Sequence, residues 1–375
     1  MIINTPSLNV ADALEAAALV MRAGYAAYLH GAPGIGKSHA VHQLAKKIGA
    51  KCTIVYLADK NAGEAGGLPY LEQGVTVWSL PEYLADIEDN RRPHILFFDE
   101  LSAAAPDVRI VCYQILQERQ LRGYKLPDNV WLIGAGNRVD DGAIAYEMGS
   151  ALVDRLCHFN VEVDLKTWMN WAEASEIHPD VLSFIKAKPR YLNEEYIDTD
   201  YGSGAVVNEE NSVVPTPRSW ERVSYLLDQV TSEAEYKIVV NRVIPGWLGN
   251  MTAYAFSTYL SRMEQLQPIE DYLQATDAEL KQMVPDKVDA MYGLTYNIIL
   301  SADSADDLAD RFRIMSVMLS DPGNFRQEML TVALQLTCTR AERKEWSSEL
   351  IRNPVWKEFG APYLKTTTIS KRDLA

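Results

Sequence analysis

The stretch Gly31-Ala32-Pro33-Gly34-Ile35-Gly36-Lys37-Ser38 satisfies the pattern G-x-x-x-x-G-K-[ST] at every position. Ahead of it, residues 25–30 form an apolar run short enough to be a buried strand. Behind it, residues 38–47 read as a helix, with Val41, Leu44, Ala45 and Ile48 on one face. Strand, glycine loop and helix together make a phosphate-binding loop. Gly31, Gly34 and Gly36 let the backbone curl so that successive N–H groups point inward, and the helix start adds its partial positive charge. Lys37 is placed to reach the β- and γ-phosphates of a nucleotide, and the Ser38 hydroxyl to hold Mg²⁺. The cofactor set expected from this segment is Gly31, Ala32, Pro33, Gly34, Ile35, Gly36, Lys37, Ser38 and His39, with ATP and Mg²⁺ as the ligands.

A second apolar run, residues 92–98, ends in Asp99-Glu100. Many strands end in an acidic turn, so the pair says little alone. Downstream of a phosphate loop it says more. Asp99 is the expected metal-side carboxylate, beside Ser38. Glu100 is the expected general base, taking a proton from the water that attacks the γ-phosphate. A third run, residues 129–136, ends in Asn137-Arg138. Parallel strands deliver their C-terminal ends to one sheet edge, so Asn137 is expected beside Glu100 to orient that water. The plainer role for Asn137 is to cap a turn.

These elements and their surroundings resemble the AAA+ ATPases, and within them the MoxR-like group. Residues 116–120 with Leu126-Pro127 look like the group's segment before its sensor strand. Residues 151–159, containing Arg155, resemble the motif whose arginine reaches a neighbouring subunit's nucleotide. Residues 214–223, containing Arg218 and Trp220, resemble the motif that opens a lid helix and carries the second sensor arginine. The resemblance spans roughly residues 8 to 260. It implies a ring, in the family commonly a hexamer, that hydrolyses ATP with Mg²⁺ and remodels or activates a protein partner. A partner with a von Willebrand factor A domain is likewise implied by the family and by no residue here. On this reading Glu100, Asn137, Arg155 and Arg218 are the catalytic set. A guanidinium fork stabilises the charge that spreads over the γ-phosphate oxygens in phosphoryl transfer. Arg138 competes with Arg155 for that part, and Arg222 is read as solvated face.

The formal charge of −15 over 375 residues, without a basic run, points to protein partners and away from nucleic acid. Two rival classes stay open: a nucleic-acid-directed motor of restriction or replication type, and a nucleotide-dependent switch with little turnover. No stretch approaches the roughly eighteen or more apolar residues of a membrane span. The N-terminus has no basic segment ahead of an apolar one, so no secretory signal is expected. Cys52, Cys112, Cys157 and Cys338 lack metal-ligand spacing and read as thiols of a cytoplasmic protein.

The expected fold is α/β: a P-loop core with a parallel five-stranded sheet flanked by helices, then a helical lid and a further helical C-terminal region. The boundaries are 1–164, 165–267 and 268–375. Strands are expected near 26–30, 53–57, 94–98, 130–135 and 158–163, behind a helix over 9–23. Residues 61–68 read as a flexible glycine-rich loop, in the family a segment facing the ring axis; substrate contact and plain surface are equally open. Residues 70–78 read as a hairpin turning at Gln73-Gly74. The acidic segment 192–212 is longer than the family pattern and reads as an exposed insertion or a contact surface.

Overall fold

The computed structural model describes residues 5–87, 92–138, 154–193, 213–320 and 324–366. The chain divides into two compact units, Met1–Thr167 and Trp168–Ala375. In the first unit, β1 (Ser7–Leu8), β2 (Ala27–His30), β3 (Lys51–Tyr56), β6 (His94–Asp99), β9 (Val130–Gly136) and β10 (Cys157–Val161) form one parallel sheet. Its order is β1-β10-β2-β9-β6-β3. The five expected strands are all present. The two-residue β1 adds a sixth at the edge, where Ser7 and Leu8 pair with Asn160 and Val161; so short a strand carries no periodicity to read.

Both faces of the sheet are covered, which is why β6 reads as an unbroken apolar run. Ala27, Leu29, Ile95, Phe97, Ile133 and Ala135 face α1 (Val10–Arg22) and α2 (Lys37–Lys47). Tyr28, Leu96, Phe98 and Leu132 face Val108, Cys112 and Ile115 of α5 (Pro106–Glu118). Phe97 and Phe98 are fully buried on opposite faces, each contributing ~1.5–3 kcal/mol of apolar burial. Helix α1 starts at Asn9, whose side chain accepts the Asp12 N–H, and buries Ala13, Leu14, Ala17 and Met21.

Residues 61–68 are not a loop throughout. Ala62–Gly66 forms a short helix, α3, because Asn61 and Glu64 make a reciprocal capping box. That box outweighs the entropic cost of three glycines nearby, and Gly66 lies close against Val111 of α5. The hairpin that follows pairs β4 (Pro69–Glu72) with β5 (Val75–Trp78). It turns at Gln73 (φ 52°) and Gly74 (φ 79°), the two positive values a tight two-residue turn requires. A second hairpin, β7 (Gln120–Leu121) and β8 (Tyr124–Lys125), turns at Arg122-Gly123 in the same way and is absent from the sequence reading.

The regular secondary structure described in the second unit is all helical. Trp220, Val223 and Leu227 on Pro217–Asp228 are buried; Trp220 packs on Phe184 and Phe256 and donates its indole N–H to Tyr191 O at 2.8 Å. The C-terminal helix Val288–Leu300 packs on Pro179–Ala187 and Asn250–Met263. Gly293 leaves room for the Met263 sulfur, Arg262 pairs with Asp289 at 2.8 Å, and Asn297 donates to Asp180 at 3.1 Å. The segment 194–212, most of the acidic stretch, lies outside the described residues, as do the residues from 367 onward. None of the described helices is long and apolar enough to cross a membrane.

Candidate active site

The phosphate loop occupies the turn between β2 and α2. Gly34 (φ 79°) and Gly36 (φ 95°) adopt the left-handed conformation that the curl demands. Gly31 is required for a different reason: a Cβ there would lie 2.6 Å from both Val161 O and Ile35 Cδ1. Lys37 opens α2 and is 8 % exposed. Its ammonium donates to Gly31 O at 2.6 Å, Ala32 O at 2.9 Å and Asn137 Oδ1 at 3.3 Å. A buried cation held by neutral carbonyls is poised to exchange them for phosphate oxygens, which pair with it far more strongly. Ala32 and Ser38 are half-buried, and Pro33 and His39 are exposed; His39 makes a bond to Gln43.

Asp99 ends β6, and Ser38 donates its hydroxyl proton to Asp99 Oδ2 at 2.5 Å. Asp99 Oδ1 accepts the Glu100 N–H at 2.9 Å. A hydroxyl oxygen and a carboxylate oxygen meeting at the mouth of a phosphate loop suit Mg²⁺, a hard cation that takes few protein oxygens and keeps water and phosphate as its other ligands. Glu100 is exposed and left-handed (φ 56°). That conformation is uncommon for a residue with a Cβ, and it turns the chain sharply out of the sheet at the strand end.

Asn137 follows β9 directly. Thus Lys37, Ser38, Asp99 and Asn137 come together at one sheet edge, with Glu100 beside them. Arg155 does not join them. It precedes β10 at the opposite edge, since Cys157 pairs with Ala27 and Asn160 with His30, the residue before Gly31. Six strand residues of register put it roughly 20 Å from the loop of its own chain. It is exposed and donates to Gln117 Oε1. Residues 151–153 of the same motif lie outside the described residues. Arg138 stays at the phosphate edge, donating to Val161 O at 3.0 Å and pairing with Glu162 at 3.7 Å. Arg218 is exposed in the first turn of Pro217–Asp228 in the second unit, and Arg222 is exposed one turn further.

Several residues at this edge escaped the sequence reading. His30 and His158 share a ring–ring hydrogen bond at 2.8 Å, with Tyr28 packed against both. Burial, then the charges of His158, Arg138 and Lys37, push His30 down to about 3. It is therefore a neutral imidazole at working pH, in a cationic field that favours an anion. Tyr28 is fully buried, and burial lifts its phenol well above the usual range. Its ring lies over Gly134, and its hydroxyl and that of Ser102 crowd against Gly136. The two glycines in β9 were the available sign that a bulky neighbour crosses that strand.

A phosphate loop with its lysine buried, a serine on a strand-end carboxylate and an asparagine on that lysine form a nucleotide site. The model of the ATPase family associated with various cellular activities (AAA) matches residues 27–155, which span all these elements. Residues 27–155 are an AAA ATPase module. Its chemistry is ATP hydrolysis, and AAA ATPases bind ATP with Mg²⁺. No curated protein matches the chain. Among solved structures, the Thermotoga maritima RuvB Holliday junction branch migration motor is 16% identical, covering 73% of this chain and 75% of that one, with a TM-score of 0.38. A candidate ATPase from Cytophaga hutchinsonii is 14% identical over 86% of this chain and 81% of that one, TM-score 0.35. NtrX from Brucella abortus in complex with ATP is 13% identical over 80% of this chain and 66% of that one, TM-score 0.38. Similarity this low has no bearing on the function of the AAA module.

Proposed function

We propose that this chain is a MoxR-like AAA+ ATPase that works as a ring, a hexamer, and uses ATP and Mg²⁺ to remodel or activate a protein partner. Lys37 and the loop from Gly31 to His39 hold the phosphates, and Ser38 and Asp99 hold Mg²⁺. Glu100 takes the proton of the attacking water, and Asn137 orients it. Arg155 completes the site of the neighbouring subunit, and Arg218 senses nucleotide from a lid of residues 165–267, between the core 1–164 and the further helices 268–375.

One observation carries the ring: the nucleotide elements gather at one sheet edge while Arg155 stands exposed at the other. An arginine so placed is useless to its own γ-phosphate and available to a neighbour's. Arg138, tied to Val161 and Glu162, serves better as a fixed part of the sheet edge. The charge of −15 favours a protein partner over nucleic acid. A protein bearing a von Willebrand factor A domain is the partner class that the MoxR resemblance names.

The test is the mass in solution of Glu100→Gln with and without Mg-ATP. This variant should hold ATP without consuming it, so a sixfold species should appear with the nucleotide. A monomer under both conditions would remove the nucleotide-driven ring. Arg155→Ala should bind ATP yet not hydrolyse it, and mixing it with Glu100→Gln should restore part of the turnover. No restoration in assembled rings would point instead to Arg138, or to an arginine acting within its own subunit.

A further inference from the structure

We propose that Ser102 is a positioning residue for hydrolysis, holding the Asn137 end of β9 in register with the turn that carries Glu100. The inference rests on the roles given above to Asn137 and Glu100.

The paired ladder of β6 and β9 stops at Phe98 opposite Gly134. Beyond that point the chain leaves β6 through Asp99 and the left-handed Glu100. Two bonds from this turn nevertheless continue the attachment to β9. The Leu101 N–H donates to Ala135 O at 2.9 Å, and the Asn137 N–H donates to Ser102 Oγ at 3.0 Å. A third, from the Ala103 N–H to Glu100 O at 2.9 Å, closes the turn on itself. The hydroxyl of Ser102 thus replaces the main-chain acceptor that the departing strand no longer supplies.

The surroundings suit this task. Ser102 is 4 % exposed. It is admitted only because Gly136 has no side chain: a Cβ there would meet Ser102 Oγ at 2.6 Å and Ser102 Cβ at 2.8 Å. The side chain of the same residue reaches the loop: Asn137 Oδ1 accepts from the Lys37 ammonium at 3.3 Å. Ser102 therefore anchors the backbone of the residue whose side chain faces the phosphates. Alanine at 102 would remove the acceptor and leave the packing. Asn137 would then swing, and a misplaced water-orienting group lowers turnover without weakening nucleotide binding.

The test is a double-mutant cycle on the full chain, with kcat, KM and calorimetric ATP affinity measured for Ser102→Ala, Asn137→Ala and the pair. Ser102→Ala should lower kcat about tenfold while KM and ATP affinity stay within about twofold. In the Asn137→Ala background it should leave kcat unchanged. An equal loss in both backgrounds would overturn the proposal, as would full kcat in Ser102→Ala. Full kcat in Asn137→Ala would instead overturn the role of Asn137 itself, and the proposal with it. If Ser102→Ala loses ATP binding, Ser102→Cys takes its place in the cycle. Its thiol is a weak acceptor of similar size, and the same outcomes decide.

Discussion

Adding one methyl group at Gly136 should disturb both the stability of the sheet and its catalytic edge. A Cβ there would stand 2.1 Å from the Tyr28 hydroxyl, 2.6 Å from Ser102 Oγ and 2.8 Å from Ser102 Cβ. The backbone at Gly136 is not left-handed, so alanine carries no conformational penalty and the effect is purely steric. Tyr28 cannot swing aside, because its ring lies over Gly134 and is fully buried. Ser102 cannot retreat without moving the turn that carries Glu100. Overpacking a rigid core site costs ~1–3 kcal/mol. At about 2 kcal/mol, local opening should be roughly thirtyfold more frequent. Amide hydrogen exchange of β2, β6 and β9, read by mass spectrometry, reports that opening directly. Tyr28→Phe removes the closest atom, so in that background Gly136→Ala should lose about half its effect, the Ser102 contacts remaining. Unchanged exchange in Gly136→Ala would refute the crowding argument. An undiminished effect in the Tyr28→Phe background would refute the part given to the hydroxyl.

Two further outcomes are expected. Lys37→Ala should weaken ATP binding about a hundredfold or more, since the ammonium is the buried cation of the loop; unchanged calorimetric affinity would sink the phosphate-loop assignment. Glu173, beside the Tyr296 hydroxyl at 3.3 Å, is pushed up by burial from 4.5 to about 6. The folded state therefore binds more protons than the unfolded one between these values, and stability declines as pH rises through 6. Glu173→Gln should remove that slope and be more stable at pH 7 by up to roughly 2 kcal/mol. Urea unfolding from pH 4.5 to 7.5 checks it, and a difference that does not vary with pH would count against the assignment.

Much of the first unit was legible because its signals are local. The glycine pattern at 31–38, the apolar runs ending at Asp99 and Gly136, and the Gln73-Gly74 turn each act within a few residues. The misreadings have physical causes. Asn61 and Glu64 turned an expected loop into a helix, because a reciprocal cap offsets the glycine entropy that composition suggests. The strand at Ser7–Leu8 exists only through its pairing with β10. In the second unit, the motif that contains Trp220 does open a helix, and Trp220 is buried. Periodicity could not tell that Val288–Leu300 would pack on Pro179–Ala187, about a hundred residues earlier, since an amphipathic stripe does not name its partner.

The sequence alone determined the chemistry of the loop. Phosphate binding needs glycines, a lysine and a hydroxyl at adjacent positions of one chain segment, so the spacing is the site. Only the tertiary structure decided which distant residues share that edge. Strand order sets Asp99 and Asn137 beside the loop, and the parallel register of β10 sets Arg155 at the opposite end of the sheet. Side-chain contact joins Tyr28, Ser102 and Gly136 across three strand ends. These relations depend on parallel pairing between segments up to 130 residues apart, which packing selects and local pattern does not encode.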